Sequence, residues 1–392
     1  MEGQEFLAKR AVIKVMGIGG GGGNAVNSMI ASNVNSAEFI AINTDSQALL
    51  MSDATTRVQI GESLTKGLGA GSDPNIGEAA AEESKEDIAK LLEGTDLLFI
   101  AAGMGGGTGT GAASVVARIA RELGILTVAV VTKPFSFEGR IRNENANKGI
   151  ANLKKYVDTL VIIPNDKLLQ FLPPQTSSLD AYKVADDMLK QGIIGIVDLI
   201  VTPSIINLDF ADIKTVMKDQ GLAHMGIGRA KGENRVLEAV RQAVSSPLLE
   251  TTIEGAKSII LNIAGGKDLT LMEVNDAAVL VQGIIDPSAN IIFGQTNDES
   301  MSEEIKITVI ATGFSPKTDV EEKVVEVKPA ISLSQLTMET PVATEEPEEV
   351  VEEELPVEEE FVATEEPVET QETKNAKEFP SFLKTLLGRR SK

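Results

Sequence analysis

The residues best suited to chemistry in this chain are glycines. From Ala102 to Gly111 the sequence reads Ala-Gly-Met-Gly-Gly-Gly-Thr-Gly-Thr-Gly, which places six glycines in nine residues: Gly103, Gly105, Gly106, Gly107, Gly109 and Gly111. Such a run forgoes side-chain packing and costs backbone entropy, so what it offers is bare backbone. It lies between the apolar run Leu97-Leu98-Phe99-Ile100 and a helical pattern containing Val115 and Val116, a framing that a flexible linker lacks. A strand that empties through glycines into a helix aims unpaired N–H groups and the positive end of a helix dipole at one point, and that point attracts phosphate. Thr108 and Thr110 add hydroxyl donors. No Walker string, Gly-x-x-x-x-Gly-Lys followed by Ser or Thr, occurs in the chain.

A second loop of this kind, Gly17-Ile18-Gly19-Gly20-Gly21-Gly22-Gly23, follows a short apolar run from Ala11 to Met16 and opens a helical segment at Asn24. Gly17, Gly19 and Gly22 satisfy Gly-x-Gly-x-x-Gly, and Asp45 follows at the end of the next strand, Phe39 to Asn43. Alone, this reads as a nicotinamide-dependent oxidoreductase. That reading leaves the loop at Gly103 to Gly111 unexplained, because a dinucleotide needs one pyrophosphate cradle and this chain prepares two. Two loops at the carboxyl ends of two strands fit a nucleoside triphosphate held from both sides. A third small-residue loop, Gly67 to Pro74, precedes a helix predicted from Ile76 to Leu92.

The loops contain no base for a water. Asp209 and Asp212, at i and i+3, read from spacing as an N-cap and its capping-box partner. His224 is the single histidine, with no readable partner, and is assigned a structural role. The absence of cysteine excludes thiolate metal sites, Cys nucleophiles and a disulfide scaffold, and no metal ligands are assigned.

These loops must be positioned by strands. A helix to Leu123, a strand from Leu126 to Thr132, an Asn- and Arg-rich helix to Tyr156 and a strand from Thr159 to Ile163 continue the alternation, which predicts a doubly wound parallel sheet with ligands over the carboxyl strand ends. Leu179 to Ile200 is a long helix with few polar breaks, expected to be buried all round. Beyond it, a helix from Asn207, another over Gly232 to Ser245, a third over Leu271 to Gln282, and strands at Ile259 to Ile263, Ile291 to Gln295 and Ile305 to Ala311 suggest a second, α+β domain.

Of the 58 acidic residues, fifteen lie between Pro329 and Thr373, where Lys and Arg are absent. The formal charge of −22 therefore shrinks to −7 over the rest of the 392-residue chain, and no clustered basic surface points to nucleic acid. No run approaches the ~18 apolar residues of a spanning helix, and residues 1–10 lack a signal core. The expectation is a soluble cytoplasmic protein. Ser315 to Glu378, rich in Glu, Pro, Val and Thr and carrying Val-Ala-Thr-Glu-Glu-Pro twice, is expected to be a disordered tether spanning roughly 40–50 Å. At its end Phe379, Pro380, Phe382, Leu383, Leu386 and Leu387 repeat at helical spacing beside Lys384 and Arg389, as expected of a docking peptide.

Taken together, Gly105 to Gly111, the loop before Asn24 and the string Asn207-Leu208-Asp209-Phe210-Ala211-Asp212 resemble the FtsZ family of bacterial, tubulin-like cell-division GTPases, from about Ala11 to Gly313. The resemblance implies a tubulin-like α/β fold: a parallel-sheet GTP-binding domain (1–178), a central helix (179–202), an α+β GTPase-activating domain (203–314), an acidic linker (315–378) and a partner-binding peptide (379–392). It places Gly20, Gly21, Gly22, Gly105, Gly106, Gly107, Thr108, Gly109 and Thr110 on the phosphates, and Glu138 and Arg142 near ribose and phosphate. Asn165 falls in the nucleoside-contacting loop. Asn24 and Asp187 fall at the guanine-reading positions, and Tyr182 stands where the family commonly stacks Phe on the base. One carboxylate accepts from both guanine N1–H and N2–H, a pair that adenine lacks. The family usually has Asn before that Asp, where this chain has Asp186 and one more negative charge.

For catalysis, the resemblance implies that Asp209, Asp212 and Asn207 reach the GTP of a neighbouring subunit, with Mg²⁺ and a candidate K⁺ as cofactors. It also implies head-to-tail filaments in a ring at mid-cell on the inner face of the membrane, tethered by division proteins that bind the terminal peptide. A nucleotide-binding polymer without hydrolysis is the alternative within the same fold.

Overall fold

In the computed structural model the described residues are 11–314, except 33, 35–36, 171, 174, 203–205, 207, 245–252, 254 and 299–300. Asn207, the acidic segment and the terminal residues Phe379, Pro380, Phe382 and Leu383 lie outside them.

The chain begins with β1 (Ile13–Ile18), α1 (Gly19–Ala31), β2 (Glu38–Asn43), α2 (Ser46–Leu50), β3 (Thr56–Gln59), α3 (Glu62–Thr65), α4 (Pro74–Glu83) and α5 (Lys85–Leu92). It continues through β4 (Leu97–Gly103), α6 (Thr108–Glu122), β5 (Leu126–Lys133), α7 (Arg140–Leu153), β6 (Thr159–Pro164), α8 (Asn165–Leu168) and the long α9 (Ser178–Val201). The remainder is α10 (Phe210–Met217), β7 (Gly221–Lys231), α11 (Arg235–Val244), β8 (Ser258–Gly265), α12 (Leu271–Gln282), β9 (Asn290–Asn297) and β10 (Glu304–Thr312).

The strands pair in the order β3-β2-β1-β4-β5-β6-β7-β10-β8-β9. Every pair from β3 to β7 is parallel, whereas β10 runs antiparallel to both β7 and β8. The winding direction reverses between β1 and β4, which lie side by side with Ile18 opposite Ala102. Crevices at such a reversal bind ligands in open α/β sheets. Both glycine loops leave the sheet there.

The apolar runs reflect burial on both faces. All of Leu97 to Ala102 in β4 is inaccessible to solvent, as expected for a central parallel strand. Alternate residues go to opposite sides: Val15, Phe99 and Val128 pack with α1 and α9, while Met16, Ile100 and Ala129 pack with α4, α5, α6 and α7. A third core joins α11 and α12 to β8 and β10 through Ala239, Ala243, Ala277, Leu261 and Val309.

Four details depart from the sequence reading. The helix expected from Ile76 to Leu92 is two helices broken at Ser84, whose hydroxyl accepts from Gly61 N–H. The first turn of α9 is exposed, with Leu179 at 61%, while every position from Val184 to Val201 is buried or half-buried. β3 was not foreseen. Nor was β7, which contains His224: in the structure a Cβ at Gly226 or Gly228 would lie 1.7 or 1.8 Å from the carbonyl oxygens of Ala243 and Ala239. They are glycines because α11 rests on the strand there. His224 is buried and meets the Phe314 ring edge-on at 4.4 Å.

Candidate functional site

The two glycine loops touch each other. A Cβ at Gly19 would come within 2.8 Å of Gly109 N, one at Gly21 within 3.3 Å of Gly103 Cα, and one at Gly22 within 2.2 Å of Ala101 O. Gly107 is similarly hemmed in by Ala70 and Asp73 of the third loop. Gly20 and Gly106 have nothing within 4 Å on their Cβ side. The loops are thus packed together on one side and open on the other.

Onto this open side come the N-termini of α1 and α6. Their N-cap residues, Ile18 and Gly107, make no side-chain cap, and neither first turn holds an acid. Helix N-termini without a capping side chain leave donors for an anion, each favoured by about 0.3–1 kcal/mol from the dipole alone. By contrast α4, α9 and α12 are capped by Asp73, Ser177 and Thr270.

The threonines work inside the loop. Thr108 Oγ1 lies 2.7 Å from Thr44 Oγ1, and Thr110 Oγ1 accepts from Gly105 N–H at 2.8 Å. They brace the cradle, and Thr44 is a contributor that sequence reasoning missed because no motif marks it. Asp45 has a local role as well, since its Oδ1 accepts from Gln47 and Ala48 N–H and caps α2. The acid that an oxidoreductase would set on a ribose is therefore engaged with backbone.

Arg142 abuts the loop, its Cγ 2.8 Å from where a Cβ at Gly105 would stand, and there Glu138 Oε1 accepts from Phe135 N–H at 2.9 Å while Oε2 pairs with Arg142 Nε at 2.8 Å. Tyr182, on α9, packs edge-on against the buried Phe135 at 5.4 Å, and Phe137 stacks on the same ring. Burial, the Glu138 charge and a hydrogen bond to Glu138 together raise the Tyr182 hydroxyl above its ordinary value. Asn165 is 5% exposed and its Oδ1 has no hydrogen-bond partner. A buried amide oxygen left unsatisfied costs about 1–3 kcal/mol, which a ligand donor would recover.

Asn24 is exposed on α1, one turn before Ser28. Ser28 Oγ donates to Asp187 Oδ1 at 3.1 Å, and Lys190 Nζ lies 2.6 Å from the same oxygen. Lys190 was not singled out from sequence, though its i+3 spacing from Asp187 was readable. Asp186 is pushed up to about 7, first by burial and then by the neighbouring Asp187.

Asp209 and Asp212 are not brought to this site. They form the reciprocal capping box of α10, at 2.8 and 3.2 Å. The last turn of α10 is tied through Met217 O to Thr159 Oγ1 at the amino end of β6, whereas the glycine loops leave the carboxyl ends of β1 and β4. Among the described residues no cluster of three His, Cys, Asp or Glu could hold a metal, so a divalent cation fits here only as the companion of a nucleotide's phosphates, its usual mode for Mg²⁺.

Two joined anion cradles at a sheet reversal, with a Glu138–Arg142 pair against one of the loops, define a nucleoside-phosphate-binding α/β protein. Residues 12–173 match the Tubulin/FtsZ family, GTPase domain, and residues 221–315 match the FtsZ family, C-terminal domain. The chain belongs to the FtsZ family, and its first domain is a GTPase domain whose substrate is GTP. Among solved structures it resembles an empty FtsZ dimer from M. jannaschii, with 44% identity over 78% of this chain and 89% of that one and a TM-score of 0.74. Two Haloferax volcanii proteins share the fold at a TM-score of 0.69. CetZ2, a GTPγS-bound protofilament, is 20% identical over 79% of this chain and 95% of its own; CetZ1, a GDP-bound monomer, is 22% identical over 78% and 95%.

Proposed function

We propose that this protein hydrolyses GTP only when assembled head to tail, the active site of one subunit being completed by Asp209, Asp212 and Asn207 of the next. The observation that carries the reading is the position of the acids: they open α10, whose last turn is tied to the amino end of β6, while the phosphate cradle opens at the carboxyl ends of β1 and β4. In this reading they serve the nucleotide of a neighbour and not that of their own subunit. An exposed apolar rim of Leu50, Met51, Leu68, Phe137 and Ile141 beside the cradle also supports stacking, since a neighbour would cover it.

In this reading the loop N–H groups and the N-termini of α1 and α6 hold and polarise the phosphates. Tyr182 and Asn165 fix the base and sugar, and the Glu138–Arg142 pair closes the site between them. Asn24 and Asp187 read the guanine edge, with Lys190 and Ser28 holding Asp187 Oδ1 and fixing the orientation of its carboxylate. The neighbour's Asp209 and Asp212 accept hydrogen bonds from the attacking water and orient it. Mg²⁺ supplies charge neutralisation on the transferred phosphoryl group, and K⁺ is a further candidate cofactor. Residues 1–178, 179–202 and 203–314 serve as nucleotide domain, central helix and activating domain. The acidic segment tethers the terminal peptide, through Phe379, Pro380, Phe382 and Leu383, to membrane-bound division proteins at a mid-cell ring. Among the described residues no helix is long and apolar enough to cross a membrane.

The test is phosphate release from GTP across a range of protein concentrations, with light scattering, for the wild type and Asp212→Ala. Specific activity should rise together with scattering above a threshold. The variant loses one cap, about 1 kcal/mol, and should bind GTP normally while losing turnover. Activity per molecule that is independent of concentration would remove the shared site, and loss of GTP binding would make Asp212 a folding residue.

A further inference from the structure

Helix α10 sinks its last turn into the interior, where Val216 and Met217 are inaccessible to solvent and their carbonyls need donors. The chain turns away at Asp219, whose φ is +54°, and the N–H groups that follow go elsewhere. That of Lys218 goes to Lys214 O, that of Asp219 to the Asp158 carboxylate and that of Gly221 to Asp158 O. Two threonine hydroxyls take the carbonyls instead. Thr312 Oγ1 donates to Val216 O at 2.7 Å, the nearer of its two acceptors, the other being Ser258 O at 3.4 Å. Thr159 Oγ1 donates to Met217 O at 2.5 Å. Both threonines are themselves inaccessible to solvent, so water does not compete for these bonds, which fix direction as well as distance.

The two hydroxyls come from different parts of the sheet. Thr159 opens β6, in the parallel part that carries the glycine loops, and Thr312 closes β10, in the antiparallel part. At the opposite end of the helix Asp209 is exposed and Asp212 half-buried, each bonded to the other's backbone N–H. Their aim is therefore set by the axis of α10. The helix has eight residues, about 12 Å, so a tilt at its last turn is carried to its first.

We propose that Thr159 and Thr312 are positioning residues for hydrolysis: by holding the last two carbonyls of α10 from both parts of the sheet, they set the axis of the helix that presents Asp209 and Asp212 to a neighbour's GTP. This inference rests on the reading of those acids as completing the neighbour's site. Ile213, Val216 and Met217 bury the apolar side of α10, but apolar burial is non-directional and permits small slides and rotations that two hydrogen bonds resist. A misplacement of about 1 Å can cost roughly 100-fold in rate. The phosphate cradle lies at the carboxyl ends of β1 and β4, so loss of a hydroxyl is read in turnover and not in nucleotide affinity.

The test compares Thr159→Val and Thr312→Val, which keep the side-chain shape and remove the hydroxyl, with Thr159→Ser and Thr312→Ser, which keep the hydroxyl and remove the methyl. For each full-length protein, GTP affinity is measured by equilibrium dialysis below the assembly concentration, the assembled amount by sedimentation, and phosphate release per assembled subunit at saturating GTP. Each valine variant should bind GTP and assemble like the wild type while releasing phosphate about tenfold more slowly, and each serine variant should stay within about twofold of the wild type. Wild-type turnover per assembled subunit in a valine variant would overturn the role of that threonine. A serine variant as slow as its valine counterpart would do the same, because the methyl and not the hydroxyl would then matter. Loss of GTP binding or assembly in a valine variant, restored in the serine one, would make the hydroxyl a tie of the fold rather than a positioning group. Asp212→Ala is measured alongside: wild-type turnover in its assembled form would overturn the reading of the acids themselves, separately from the threonines.

Discussion

Gly20→Ala separates the needs of the fold from those of the ligand. Gly20 is exposed, lies in the first turn of α1, and has nothing within 4 Å where a Cβ would stand. The structure therefore accepts alanine there, and the unfolded chain loses conformational freedom, which should stabilise the nucleotide-free protein by about 0.5–1 kcal/mol. The added methyl occupies the space through which a phosphate approaches the loop N–H groups. Displacing it from one charge-assisted hydrogen bond forfeits about 1.5–3 kcal/mol, or roughly 10- to 100-fold in affinity. Urea unfolding without nucleotide and equilibrium GTP binding read the two effects separately. Gly22→Ala is the contrast, because its Cβ would stand 2.2 Å from Ala101 O and push α1 off β4, so stability and binding should fall together. If Gly20→Ala binds GTP like the wild type, the phosphates do not sit over that turn. If it is less stable, the glycine serves the fold and the argument for a ligand-facing surface fails.

Gly226→Ala should cost about 3 kcal/mol or more, since its Cβ would fall 1.7 Å from Ala243 O; the urea midpoint measures it, and a neutral result would mean α11 is not seated on β7. Arg235, 7% exposed, forks onto Glu273 at 2.6 and 2.9 Å and also holds the Asp268 carboxylate. Arg235→Met removes the guanidinium shared by Glu273 and Asp268 and should lower stability at neutral pH. The guanidinium holds Glu273 down at about 2, so this stabilisation is present above the unfolded-state value near 4.3 and is lost as pH falls through about 2. The gap in urea midpoint between wild type and variant should accordingly close between about pH 4.5 and pH 2, and a gap that stays constant would remove the ion pair as its cause.

Much of the architecture was legible because the parallel strands are buried on both faces and read as unbroken apolar runs: Leu97 to Ala102 could hardly be anything else. The misreadings have local causes. Ser84 breaks α4 from α5 through a hydrogen bond to Gly61, a residue twenty-three positions away. β7 escaped notice because its glycines carry no strand signal and acquire their meaning only from α11 across the gap. On the site, the glycine spacing marked both loops, but the partners that hold Thr108 and Asp187, namely Thr44 and Ser28, come from distant segments and leave no pattern in the chain.

By itself the sequence determined that two bare-backbone loops exist, that each follows a strand and opens a helix, and that the tail differs in kind from the rest, because these depend on local composition and periodicity. Only the tertiary structure decided that the loops leave neighbouring strands and merge into one cradle, that Asp187 is held by Lys190 and Ser28, and that Asp209 and Asp212 cap α10. Those are properties of strand order and helix rotation. They arise from burial of apolar faces summed over the whole sheet, and no short stretch of residues carries that information.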